Sequence, residues 1–121
     1  MATEPKHRNP PRNEADLEKR VRLWCAYTGW KRKKMSSPSS KGTLDDYMVK
    51  DGRHVWIELK MPGNTPTELQ WDEIDDLRMH GAEAYWADSL EQVKWILSCR
   101  GPAWKDPDYL EMLRPQQRWL L

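Results

Sequence analysis

Val55-Trp56-Ile57-Glu58-Leu59-Lys60 is the stretch from which the rest of the chain can be read. Its β-branched and aromatic residues favour extended backbone. Successive side chains of a strand point to opposite faces. Val55, Ile57 and Leu59 therefore make one apolar face, and Trp56, Glu58 and Lys60 share the other. A carboxylate and an amine emerge side by side from that second face. Glu58 can bind a divalent cation while Lys60 holds or polarises a water beside a phosphate. A solvent-facing strand with an ordinary ion pair carries the same residues, so the flanking sequence has to discriminate.

Just upstream, Asp51-Gly52 is a strong hairpin signal. It folds residues 44–49 back as a strand alongside 55–60. Asp45 or Asp46 then lies near Glu58. Asp is unfavourable inside strands, and two carboxylates on adjacent strands suit Mg²⁺, a hard cation that prefers oxygen. Residues 30–35 form a weaker strand candidate, and the Ser-rich stretch 36–42 reads as a loop.

Downstream, Met61-Pro62-Gly63-Asn64 ends the strand. Thr65 as N-cap, Pro66 at the first helical position and Glu68 as the capping-box partner predict a helix to about residue 80, stopped by Gly81. Gln70, Ile74 and Leu77 fall on one stripe of that helix. A buried amide needs a polar partner, and the active site, a phosphate oxygen or a nearby loop backbone could each serve. Residues 83–86 predict a short fourth strand. Ser89 and Gln92 open a helix with Leu90, Val93, Ile96 and Leu97 inward, and Gly101-Pro102 stops it. Asp106-Pro107 predicts one more helix to about residue 113, followed by an unusually apolar end, Trp119-Leu120-Leu121.

At the other end, residues 1–12 are polar and carry three prolines, which predicts a flexible arm. Asn13 is a plausible N-cap for a helix over 14–27, with Leu17, Val21, Trp24 and Thr28 on one stripe and Gly29 as its stop. Glu14 leans closer to that stripe than Glu18, so it is the better placed of the two to look toward the sheet.

The order is α-β-β-β-α-β-α plus a C-terminal helical appendage: an α/β domain with a central mixed sheet flanked by helices. The expected division is an arm over 1–12, one globular domain over 13–100, and an appendage over 101–121 that packs on the core or on a partner copy. The chain has 121 residues, 8 Trp and no Phe, so Trp and Tyr must supply the large aromatic volume of a single core. Its 20 basic and 19 acidic residues nearly cancel, but their distribution is uneven. Lys31-Arg32-Lys33-Lys34 is a basic run, extended by Arg20, Arg22 and Lys41, while acids gather at Asp45, Asp46, Glu58 and residues 72–76. A basic patch beside an acidic cluster suits a phosphate backbone drawn onto a cation site. Cys25 and Cys99 form no zinc set with His7, His54 and His80. No stretch approaches a membrane span or a signal segment, so a soluble, intracellular protein without a membrane partner is expected.

Taken in order, these pieces resemble a stand-alone VRR-NUC domain, a branch of the PD-(D/E)xK nucleases found in phage and bacterial proteins. The resemblance covers about residues 14–97. It rests on Glu14 and Leu17, Gly29 and Lys34, Ser37-Pro38, Gly42-Thr43-Leu44-Asp45, Ile57-Glu58-Leu59-Lys60 with Pro62-Gly63, then Gln70, Leu77 and Gly81. Leu44 and Asp46 depart from it, standing where the family usually has Pro and often has Arg.

The resemblance implies a restriction-endonuclease-like core and a metal-dependent DNA endonuclease in replication, repair or recombination. Mg²⁺ or Mn²⁺ would be held by Asp45, Glu58 and the Leu59 carbonyl, with no organic cofactor. Lys60 would position the water, Glu14 would support the metal site, and Gln70 would orient Lys60 or a phosphate. Lys33, Lys34 and Lys41 would contact DNA phosphates. Relatives that resolve Holliday junctions act as dimers on branched DNA, which implies a homodimer in the cytoplasm of a bacterial or phage-infected cell.

Overall fold

A computed structural model describes residues 3–35 and 42–108. Its elements run α1 (Glu14–Thr28), β1 (Lys31–Lys34), β2 (Asp46–Lys50), β3 (Arg53–Leu59), α2 (Glu68–Met79), β4 (Glu83–Ala87), α3 (Leu90–Ser98) and a 3₁₀ turn, η1 (Ala103–Lys105). The strands form one sheet in the order β1-β2-β3-β4, antiparallel except for the parallel pair β3–β4. The α/β class and element order expected from sequence are observed. Lys41, Ser37-Pro38, the 109–113 part of the last expected helix and the Trp119-Leu120-Leu121 end lie outside the described residues.

The β2–β3 hairpin is set by its turn. Asp51 and Gly52 both have positive φ, at 50° and 79°. That backbone matches the right-handed twist of the flanking strands. It closes the pair Lys50↔Arg53 and carries the register to Asp46↔Ile57. β3 thus begins two residues earlier than expected and stops at Leu59, so Lys60 stands just past its end. The Lys60 N–H still donates to the Ala87 carbonyl at 2.9 Å.

Alternation along the strands builds two unequal layers. Met48, Val55, Ile57, Leu59 and Tyr85 pack with Leu17, Val21 and Trp24 of α1 and Val93, Ile96 and Leu97 of α3. On the opposite face, Ala84 and Trp86 pack with Leu44 and with Trp71 and Ile74 of α2, joined by the half-buried Trp56. Trp supplies much of the volume that Phe supplies elsewhere. The Trp71 and Trp86 rings meet edge to face, with centroids 6.2 Å apart.

α2 starts two residues later than expected. Thr67, not Thr65, is its N-cap: the Thr67 hydroxyl accepts from the Gln70 N–H at 3.2 Å, and the Gln70 side-chain oxygen accepts from the Thr67 N–H at 2.9 Å. Thr65/Glu68 and Thr67/Gln70 both have capping-box spacing. The second places buried Pro66 just before the cap and buried Trp71 at the fourth helical position, the spacing of a hydrophobic staple. The inward stripe is consequently Trp71 and Ile74, and Gln70 lies at its margin. At α1, Asn13 caps as expected, its side chain accepting from the Asp16 N–H at 2.9 Å. Residues 3–12 have no regular structure, but they are held: Arg20 donates to the Asn9 carbonyl at 2.6 Å, and Lys94 pairs with Glu4 at 2.7 Å.

Arg53 ties the sheet to α3. Its guanidinium makes a two-pronged contact with Glu83 at 2.8 Å and donates to the carbonyls of Ile96, Leu97 and Cys99. Those carbonyls are among the orphan acceptors of a helix C-terminus, so one side chain closes α3 and neutralises a buried acid. Glu83 also accepts from the Tyr85 hydroxyl at 2.7 Å, which in turn accepts from the Ala103 N–H at 2.8 Å. Removing one partner of a buried pair strands the other charge, at a cost of about 3–5 kcal/mol. Arg53→Met should lower unfolding stability by that order in urea titrations, and Glu83→Gln added to it should restore part of the loss. A loss below about 1 kcal/mol would instead be the behaviour of a surface pair.

Candidate active site

The hairpin register carries the local geometry. Because Asp46 is paired with Ile57, its side chain falls on the α1/α3 side of the sheet and that of Asp45 falls on the side of Glu58. Two reciprocal hydrogen bonds then lock the strands together. The Asp45 N–H donates to the Glu58 carboxylate at 3.1 Å, and the Leu59 N–H donates to the Asp45 carboxylate at 3.0 Å. Each acid is thus aimed by backbone of the neighbouring segment.

Glu14 arrives from the first turn of α1. One carboxylate oxygen from each of Glu14, Asp45 and Glu58 lies within 4.8 Å of the others. Lys60 adds the cation, its Nζ 3.3 Å from Glu58 Oε2. The acids differ in access: Glu58 is 1% exposed, Asp45 is buried, and Glu14 is exposed. The Leu59 side chain is buried in the α1/α3 layer, leaving its peptide group as its contribution here.

Electrostatics follow from this crowding. Burial, the Asp45 charge and the Asp45 hydrogen bond push the Glu58 carboxyl up to about 8, against the opposing pull of Lys60. Glu14 is raised as well, first by desolvation from neighbouring atoms despite its exposed area, then by Asp45. Carboxylates from three elements facing a single ammonium make a donor set short of positive charge, which fits a hard divalent cation.

Other acids and cations considered from sequence are held elsewhere. Asp46 is fully buried with its Oδ1 2.7 Å from Arg32 Nε, and burial pushes its carboxyl to about 7. Glu18 pairs with Lys34 at 3.0 Å and lies 3.8 Å from Arg32. Lys34 is thereby engaged with protein, while Lys33 is exposed on β1. Gln70 spends its side-chain oxygen on the α2 cap, so that atom is directed to backbone and not to Lys60. Arg32 is the residue that reading the chain missed. As one letter of a basic run it reads as part of a phosphate-facing patch, yet strand alternation separates it from Lys31 and Lys33 and turns it inward.

Gly42 closes the loop onto α2. Its φ is +85°, and a Cβ there would lie 3.1 Å from Leu69 Cβ and 3.2 Å from the Leu69 carbonyl oxygen. Both the left-handed backbone and the close approach require glycine. Gly42 thus lets the segment that delivers Leu44 to the core and Asp45 to the cluster pass close to α2.

No family model and no curated protein matches the sequence. Among solved structures, one described as a VRR_NUC domain superposes on 72% of this chain and 96% of its own length, with a TM-score of 0.63 and 21% identity. The chain thus has the fold of that domain.

The raised acids make stability pH-dependent. Unfolded, Glu58 ionises near 4.5; folded, near 8. Between those values the folded protein keeps a proton that the unfolded chain has released, so stability falls as pH rises through the window. Asp46 acts in the same direction from 3.8 to about 7. In chelator, the thermal midpoint should fall from about pH 5 to about pH 8, and Glu58→Gln should flatten the upper part of that fall and exceed wild type near pH 8. An equally steep fall in the variant would assign the titration to another group.

Proposed function

We propose that this chain is a divalent-cation-dependent nuclease that hydrolyses phosphodiester bonds in DNA. The observation carrying the proposal is the convergence of Glu14, Asp45 and Glu58, from a helix, a loop and a strand, beside Lys60. The VRR_NUC likeness supplies the matching fold, but fold alone does not fix chemistry; the acids and the lysine give the reading its content.

Asp45, Glu58 and the Leu59 carbonyl would hold Mg²⁺ or Mn²⁺, with Glu14 closing the set. When bound, the cation would offset the negative charge that builds on the phosphate during attack. Lys60 holds and orients the attacking water, its ammonium kept in place by Glu58. The Leu59 N–H keeps Asp45 from rotating away, so the donor oxygens are preorganised. Lys33 lies on the neighbouring strand and would contact backbone phosphate without reading sequence. Branched DNA is the proposed preferred substrate, cut by a two-fold dimer that presents one site to each of two strands.

The test is a panel of labelled duplex, nicked, flap and four-way-junction DNA with Mg²⁺, Mn²⁺ or EDTA. Cleavage should require the cation, and Lys60→Ala and Glu58→Ala should slow it by about 100-fold or more. Asp46→Asn, which retains an acceptor for Arg32, should cut at close to the wild-type rate. Absence of cleavage by wild type on every substrate, or normal cleavage by both site variants, would overturn the assignment.

A further inference from the structure

Alternation that brings Asp45 and Glu58 to one face of the sheet also brings Tyr47 and Trp56 there, each one step further along its strand. The two are directly paired across β2 and β3. Their ring centroids are 4.6 Å apart at an interplanar angle of 35°. His54 extends the row, stacked on Tyr47 at 5.9 Å and 28°, and its Nδ1 hydrogen-bonds the Tyr47 hydroxyl. On the far side, Lys33 is the cross-strand partner of Tyr47, and Lys31 that of Val49. Tyr47 and Trp56 are half-buried, while His54, Lys31 and Lys33 are exposed. α2 packs over the β4 side of this face, away from the lysines.

We propose that Tyr47, His54 and Trp56, flanked by Lys31 and Lys33, form a stacking platform for unpaired bases of a DNA strand whose phosphate lies at the carboxylate cluster. The proposal rests on the nuclease reading for its substrate and adds what that substrate must offer. A cross-strand aromatic pair by itself stabilises a hairpin. The further ring and the two cations beside it match the two parts of a nucleotide, an apolar base face and an anionic linkage. Proteins that hold single strands combine these elements, and stacking on aromatic rings tolerates any base. From Trp56 to Glu58 is two strand residues, about 7 Å, so a strand seated at the cluster brings a neighbouring base over the rings. In an intact duplex the base faces are covered by their own neighbours, so the platform favours DNA with unpaired nucleotides at the cut.

Binding measured in EDTA separates this from cleavage. The probes are a fluorescein-labelled 15-mer of thymidylate and a hairpin duplex with the same number of phosphates, followed by anisotropy over a range of salt. Wild type should bind the single strand about 10-fold or more tightly than the duplex. Tyr47→Ala and His54→Ala should each weaken single-strand binding several-fold to about 10-fold, leaving duplex affinity and the salt slope unchanged. Lys31→Ala combined with Lys33→Ala should reduce the salt slope by about 1.4. Tyr47→Leu keeps an apolar partner for Trp56. It should melt like wild type yet bind as weakly as Tyr47→Ala, and His54→Ala changes an exposed residue, so loss of folding cannot stand in for loss of stacking.

Equal affinity for both probes, or unchanged single-strand binding in Tyr47→Leu and His54→Ala, overturns the platform. So does a sedimentation mass that is doubled in wild type and single in Tyr47→Leu, which would assign the face to a second copy. Binding as expected without cleavage by any DNA would sink the nuclease reading and leave the platform standing. Cleavage without strand preference in binding would do the reverse.

Discussion

Two hydrogen bonds between a loop and the end of a strand hold this site together. The Asp45 N–H is fixed by Glu58, and the Leu59 N–H by Asp45. Moving either carboxylate breaks its bond to the backbone of the facing segment. Burial strengthens both bonds and makes the loss of either costly. The same lock explains how acids persist where strand propensity and desolvation both oppose them. Burial first, and then the Asp45 charge, raise the Glu58 carboxyl, and Lys60 opposes them. The hairpin turn, the glycine at residue 42 and the core residue Leu44 all act by keeping that lock in register.

How much of this could be read from the chain depends on whether a feature is local. The α/β order follows from short-range signals: caps, a turn dipeptide and alternation. The pairing of Glu58 with Lys60 is visible from strand period alone. The choice between Asp45 and Asp46 is not, because it hangs on register, and a one-residue slip exchanges faces for the whole strand. Once the turn fixes Lys50 opposite Arg53, the choice follows. Glu14 was separable from Glu18 only by its lean toward the sheet, because its neighbours in the fold lie 31 residues or more away in sequence. The start of α2 is misplaced because two capping boxes overlap in Thr65-Pro66-Thr67-Glu68-Leu69-Gln70. The burial of Pro66 and Trp71, a tertiary matter, selects between them. Arg32 shows the converse error, in which a run of like charges hides an alternation of roles.

The sheet faces carry different duties. One is closed by α1 and α3 around a largely apolar layer, with Arg53 paired to Glu83 near the end of α3 and Arg32 paired to Asp46. The other is only partly roofed by α2, and on it acids, an amine, aromatic rings and lysines follow one another along β1 to β3. Concentrating polar function on the less covered face avoids desolvating all of it at once. It also leaves the hydrophobic layer free to supply stability independently of the site.

Glu14 occupies the first position of α1, where helices open most readily. Two of the three acids sit on or beside a hairpin, and the third on a helix end closed by the Asn13 and Asp16 side chains. A local opening of the terminal turn, far smaller than unfolding, would separate Glu14 from Asp45 and Glu58 while leaving those two acids in place. Amide exchange near residue 16, whose N–H the cap engages, reports the same opening that separates Glu14 from its companions.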